Sequence, residues 1–311
     1  MSRSRRVPKS ATVLRTEQVA PDFVRVVLGG DDIAAMAPLE FTDHYVKLLF
    51  PPAGADYRWP FDPDALRETH PRQEWPVTRT YTIRWLDRAA GELALDFVVH
   101  GDSGLAGPWA AAAQPGDAIG FFGPGGAWAP SPTADVHLFA GDEAAVPAIA
   151  AALEALPEGA RALVFVETAN QSSHIPLPER DGFDVTWVHR DDEGLGHGHS
   201  LAKAVRAADW PQGRVEAFVH GNADMIKDLR RYLFVERGLP RDQVSISGYW
   251  RSGQTEDAWQ SSKREFVEQL EAEEGALTGP ATRSATGGTG VVAAATEGLR
   301  SVKRAVSRVF G

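Results

Sequence analysis

ADVHLFAGDEAAVPAIAAALEA, residues 134–155, decides how the chain is divided. Val136–Ala140 is a mostly apolar run of strand length, Gly141-Asp142-Glu143 interrupts it, and Ala144–Ala155 is rich in helix formers. The same grammar continues downstream. Residues 162–167, 183–188 and 215–221 read as strands, 201–207 and 223–236 as helices, and 244–248 as a strand running into Tyr249-Trp250-Arg251. Strands alternating with helices predict a doubly wound α/β domain with a parallel sheet. Residues 256–273 read as one more helix, so this unit spans 131–274.

Upstream the pattern is different. Short runs at 12–14, 23–28, 44–50, 80–85, 93–99 and 118–122 are separated by Gly, Pro and Asp clusters, which predicts a six-stranded antiparallel barrel over residues 11–130. Leu105–Ala113 reads as a short helix before the last strand. Two units fit 311 residues. Residues 275–290 (GALTGPATRSATGGTG) have linker composition. In 291–311, Leu299, Val302, Val306 and Val309 recur at helical spacing beside Arg300, Arg304 and Arg308, which predicts a basic amphipathic helix.

Composition excludes several classes. Cys is absent, which removes disulfides, thiolate metal ligands and Cys nucleophiles. Net charge is −10, and because residues 1–10 and 275–311 each carry +4, residues 11–274 carry −18. A body of that sign repels nucleic-acid phosphates, and an anionic ligand needs a local basic pocket. No signal-peptide h-region and no run of about 18 apolar residues occurs, so a cytoplasmic protein is expected. His189, Glu193, His197 and His199 are interleaved with Gly194, Gly196 and Gly198, a loop in which i, i+4 spacing gathers no ligands, and no metal site is expected. Neither a G-x-S-x-G elbow nor a P-loop occurs, and G-x-G-x-x-G is missing too.

The chemistry lies in short segments taken in order. Arg79-Thr80-Tyr81-Thr82 sits on a predicted strand, where Arg79 and Tyr81 share a face. For the tetrapeptide alone, a surface ion pair for Arg79 and a core position for Tyr81 is the favoured account. His100-Gly101-Asp102-Ser103-Gly104-Leu105-Ala106-Gly107-Pro108-Trp109 forms a Gly-rich turn that opens a helix, whose first amides can hold phosphate. Asp43 to Pro51 before them, Gly123-Pro124-Gly125-Gly126 after them and Gly248 to Gly253 near the end complete the set.

A barrel followed by such an α/β domain resembles the ferredoxin-reductase-like flavoenzymes, and the ordered set resembles the siderophore-interacting protein family over about residues 11–265. The resemblance implies an FAD-dependent ferric-siderophore reductase. It places Arg79 on the flavin pyrophosphate, Tyr81 against the flavin and Thr80 and Thr82 at its polar edge. Further FAD contacts are implied at His100, Gly104, Ala106, Gly107 and Trp109, and NADPH or NADH contacts at Gly141, Asp142 and Glu143. For these last residues an ordinary strand-to-helix cap, with Asp142 as N-cap and Pro147 in the first turn, is the competing reading. The chain departs from the family at Gly107, where a hydroxyl is usual, at Gly125, where a basic residue is common, and at Asn222, where Glu follows Gly.

The implied reaction needs no general base. NAD(P)H reduces FAD, and single electrons then reach Fe(III) in a ferric siderophore, whose hard oxygen ligands hold Fe(II) far more weakly. Lys47 and Arg251 are the expected substrate contacts, ahead of Lys263 and Arg264, since an anionic complex must find cations on an acidic body. Two other functions remain open: a generic NAD(P)H:flavin or ferredoxin-type reductase, and a flavin-free siderophore carrier. The basic tail is expected to offer at most a weak peripheral contact with an anionic membrane surface.

Overall fold

β1 (Lys9–Ala20) is long because it serves two neighbours, pairing with β6 (Ala118–Gly125) through Lys9–Thr12 and with β2 (Phe23–Gly29) from Thr12 onward. β4 (Val77–Asp87) does the same. Val77–Thr82 pairs with β3 (Tyr45–Phe50), and from Ile83 onward, across a register shift between Ile83 and Trp85, the strand pairs with β5 (Glu92–Val98). The strands close as β1-β2-β5-β4-β3-β6, the expected six-stranded antiparallel barrel. The computed structural model describes residues 7–99, 104–190 and 196–277.

Alternate residues of these strands fill the barrel, including Val26, Leu28, Leu48, Leu95, Phe97 and Phe121. Two short helices, α1 (Asp31–Ala34) and α2 (Pro63–Thr69), lie where the sequence showed only Gly, Pro and Asp punctuation. Helix α3 (Ala106–Ala112) adds Ala106 and Ala110 to the barrel core. Trp59 lies over β6 so closely that a Cβ at Gly120 would stand 2.2 Å from its ring.

The second unit is a five-stranded parallel sheet in the order β11-β10-β7-β8-β9. Its strands are β7 (Val136–Asp142), β8 (Ala162–Thr168), β9 (Phe183–His189), β10 (Val215–Asn222) and β11 (Val244–Trp250). Every residue of β7 and β10 is buried, as central strands covered on both faces must be. Helices α4 (Val146–Ala155), α5 (His199–Ala207) and α6 (Ala223–Arg231) cover the sheet. Ala20 and Phe23 of the barrel join the core formed by Phe139, Ile149 and Phe218, so the two units share packing. The chain leaves β7 toward β8 and β9, then returns to β10 on the other side. The carboxyl ends of β7 and β10 therefore flank the crevice where sheets of this kind bind ligands.

The last described helix, α7 (Glu256–Leu277), is longer than expected. Residues 275–277, read as linker from composition, continue the helix, whose last turn is held by Glu274 against Arg230 and Arg241, each at 2.6 Å. The rest of the predicted linker and the basic helix over 291–311 lie outside the described residues.

Candidate functional site

β3 and β4 pair Tyr45 with Thr82 and Lys47 with Thr80, and residues opposite one another on antiparallel strands share a face. These four border a cavity of about 890 Å³ between the barrel and the α/β sheet. Asp142, Glu143, His220, Tyr249, Trp250 and Arg251 close it from the sheet, and Glu256, Trp259 and Lys263 from α7. Tyr81 borders the cavity too, with its ring centroid 4.1 Å from Phe97. The Tyr249 hydroxyl is hydrogen-bonded to Thr82, and burial raises the pKa of both Tyr81 and Tyr249 well above the free phenol, so neither ionises.

Arg79 is not among the cavity-lining residues. Its guanidinium is gripped by the first turn of α7, with Nη1 and Nη2 donating to Asp257 at 3.2 and 3.1 Å. The competing reading of the tetrapeptide describes both residues, since Arg79 makes an ion pair and Tyr81, while bordering the cavity, packs against the barrel core.

The phosphate turn is only partly described, because His100 lies outside the described residues. Gly104 has φ +86°, which favours glycine, and the cap residue Leu105 offers no side-chain bond to the first amides of α3. Gly107 packs onto the end of β5, where a Cβ would stand 3.2 Å from the Val98 carbonyl. That approach gives a local reason for the missing hydroxyl. Ala106 is buried, and Trp109 packs against Phe97 and Phe50, ring centroids at 5.6 and 5.8 Å, and does not line the cavity.

Asp142 does not cap the helix. α4 starts at Val146 after Ala145, which makes no side-chain cap bond, with Pro147 in its first turn. Instead Asp142 Oδ1 accepts from the Ala144 N–H at 3.1 Å, and Oδ2 accepts from the Asn222 N–H and from Trp250 Nε1, both at 2.8 Å. One carboxyl thus ties the ends of β7, β10 and β11 around the crevice. Burial, followed by the charge of Glu143, pushes its pKa up to about 7, against the opposing bond from Trp250. Gly221 (φ +137°) leaves it room, since a Cβ there would stand 2.7 Å from that carboxyl. Gly141 packs as closely, with a hypothetical Cβ 2.5 Å from Ala145 Cβ. Glu143 forks onto Arg190 at 2.6 and 2.8 Å. Asn222, the departure from Gly-Glu, is the N-cap of α6, accepting from the Asp224 N–H at 2.8 Å.

Lys47, Arg251 and Lys263 bring three cations to the cavity. Lys263 is 8% exposed, donates to Ser247 Oγ at 2.9 Å, and has its pKa lowered to about 8 by burial and then by Lys47. Arg264 does not join them. It points outward beside Glu268 at 3.6 Å, because the next residue along a helix lies about 100° away. Arg251 lies 3.8 Å from Asp224 and 5.1 Å over the Phe266 ring. His220 went unremarked in the sequence. Its ring stacks on Phe218 at 3.8 Å, its Nε2 bonds Ser245 Oγ at 2.9 Å, and burial lowers its pKa to about 3. His220 Nδ1 has no hydrogen-bond partner among the described residues. A neutral imidazole, two tyrosines, threonine hydroxyls and an apolar wall suit a flavin ring, which needs stacking and polar contacts at its edge.

Comparison with known proteins shows the family and the fold. Residues 12–128 match the siderophore-interacting FAD-binding domain, and residues 134–253 match the siderophore-interacting protein domain. The chain is 31% identical over 268 residues to the ferric vibriobactin reductase of Vibrio cholerae, covering 84% of this chain and 96% of that protein. It is 30% identical over 250 residues to the NADPH-dependent ferric-chelate reductase of Escherichia coli, covering 78% and 93%. The crystal structure of a siderophore-interacting protein from Aeromonas hydrophila superimposes with TM-score 0.71 at 26% identity, over 85% of this chain and 99% of that one. With both halves matched in order and the barrel-and-sheet architecture shared, the chain belongs to the siderophore-interacting protein family, and it is an FAD-binding oxidoreductase of the ferredoxin-reductase-like fold.

Proposed function

We propose that the chain reduces ferric siderophores with electrons from NADPH or NADH through FAD, and that it acts on anionic complexes. The observation that supports the substrate class is that Lys47, Arg251 and Lys263 line one cavity; of the acids that also line it, Asp96 and Glu143 are already paired with Arg25 and Arg190 and Asp142 is held by Asn222 and Trp250, while Asp43, Asp242 and Glu256 remain as counter-charges. FAD, when bound, supplies the conversion between two-electron donor and one-electron acceptor. The chain's own residues do the rest. Thr80, Tyr81 and Thr82 present hydroxyls and a ring to the flavin, with Arg79 beside them for its pyrophosphate. Trp250, held by Asp142, and Glu143 border the side reached from the nicotinamide crevice. The three cations hold the ferric complex at the mouth, and the neutral His220 keeps a buried nitrogen available as a hydrogen-bond partner without adding charge.

Anaerobic reduction of a panel of ferric catecholate, hydroxamate and neutral chelates, with an Fe(II) trap and either nicotinamide, tests this. Trapped Fe(II) from anionic complexes ahead of neutral ones is expected. Reduction of free flavin or ferredoxin with no ferric chelate turned over would instead establish the generic reductase. A colourless protein that binds siderophore would establish the carrier. No described helix is long and apolar enough to cross a membrane, and weak contact through the basic tail is proposed only as peripheral.

A further inference from the structure

Every nitrogen of the Arg79 guanidinium already faces an acceptor. Nη1 donates to the Thr78 carbonyl at 2.8 Å and to Asp257 Oδ1 at 3.2 Å, Nη2 donates to Asp257 Oδ2 at 3.1 Å, and Nε lies 3.5 Å from Glu256 Oε2. One residue on, the Thr80 N–H donates to Glu256 Oε1 at 3.2 Å. The body of α7 is fixed elsewhere. Trp259 is buried with its Nε1 donating to the Gly248 carbonyl, Lys263 reaches Ser247, and Glu274 is clamped by Arg230 and Arg241. It is the first turn of α7, just after Gly253 at φ +75°, that reaches across to the barrel and takes hold of β4.

Carboxylate and phosphate fit the same planar guanidinium fork. A pyrophosphate directed at Arg79 must displace or share these two acids, and Thr80's backbone donor is contested in the same way. We propose that Glu256 and Asp257 set how tightly the chain holds FAD, by competing with its pyrophosphate for Arg79 and the Thr80 N–H. This rests on the assignment of Arg79 to the pyrophosphate made above. Acids in a first helical turn have an ordinary reason to be there, since they oppose the helix dipole, but the dipole does not require them to engage an arginine on another domain. Glu256 is also a costly place for a charge. Burial raises its pKa, and Arg79, the Thr80 N–H and Lys47 offset that. When the pyrophosphate takes the fork, Lys47 remains as a partner for the Glu256 carboxylate, so the acid is not left isolated.

The test titrates FAD into the deflavinated full chain, read by flavin fluorescence and independent of turnover. Glu256→Gln/Asp257→Asn is expected to bind FAD about five- to thirtyfold more tightly than wild type, and less so as salt rises. Riboflavin, which has no phosphate, is expected to bind both proteins equally. Arg79→Ala is expected to weaken FAD about 10- to 150-fold, and adding the two acid substitutions to it should recover far less than they gain in wild type, because only the Thr80 N–H is then left to free. If Arg79→Ala weakens FAD while the acid variant binds no better than wild type, the competition is overturned and the Arg79 assignment stands. If Arg79→Ala binds FAD as wild type does, that assignment fails and the inference with it. Equal tightening for riboflavin would overturn the competition by showing that the acids merely obstruct the cavity. Asp257→Asn alone, at a side chain 62% exposed, gives the same decision should the double variant not fold.

Discussion

Asp142→Asn isolates the carboxyl that joins three strand ends. Because burial raises its pKa to about 7 from the ordinary 3.8, the unfolded chain loses this proton first as pH rises. Its contribution to stability is complete below about pH 4 and is lost progressively as pH climbs to about 7. A shift of about three units at about 1.4 kcal/mol per unit sets the loss at about 4 kcal/mol. Asn does not titrate. It keeps an oxygen for the Asn222 and Trp250 donors but turns its own N–H groups toward the Ala144 N–H, so it should cost about 1–3 kcal/mol at low pH. Urea unfolding of both proteins at matched flavin content, from pH 4 to 7.5, checks this. The wild-type advantage should shrink steadily with pH and end near zero or reversed at neutrality. A difference that stays constant across the range, or grows with pH, would refute the claim that this group is carried protonated into the folded state.

Charge reversal at Lys47 or Arg251 should weaken anionic ferric chelates about tenfold or more and neutral ones little, with the gap narrowing as salt shortens the Debye length to about 8 Å at physiological ionic strength; equal losses for both would remove the substrate role. Affinity for an anionic chelate should rise as pH falls through about 8, where Lys263 gains its proton, and Lys263→Gln should flatten that step in binding titrations. Gly248→Ala would put a Cβ 2.8 Å from the Trp259 ring and should destabilise the chain by about 1–3 kcal/mol, read as a lower Tm; an unchanged Tm would show that α7 can shift. With anionic vesicles, the full chain should co-sediment at low salt and a chain ending at Leu277 should not; equal recovery of the two in the pellet would remove the membrane contact.

The fold was legible where its causes are local. Strand alternation over 12–122 gave the barrel, and unbroken apolar runs beside helix formers gave the parallel sheet, since both periodicities follow from backbone geometry within a few residues. Element lengths were harder to read. β1 and β4 run past their apolar cores because each pairs with two neighbours, a fact of sheet closure rather than of composition. Likewise 275–277 looked like linker, but Glu274 is clamped by two arginines more than thirty residues upstream, which holds the last turn of α7 together.

The candidate site follows the same division. Thr80, Tyr81, Thr82 and Lys47 border one cavity because one strand pair places them, whereas the role of Asp142 in tying three strand ends was not legible because its partner Trp250 lies 108 residues away. Arg79 and Asp257 are 178 residues apart. Nothing in the acidic start of α7 marks it as a partner for the flavin motif, because the same residues satisfy a helix dipole without help. On the proposed assignment the motif supplies the cation that meets a pyrophosphate, while the first turn of α7, an element anchored on the other domain, holds that cation in the structure. Substitutions that reposition α7 through Trp259, Lys263 or Glu274 should change flavin affinity without touching a flavin-facing residue.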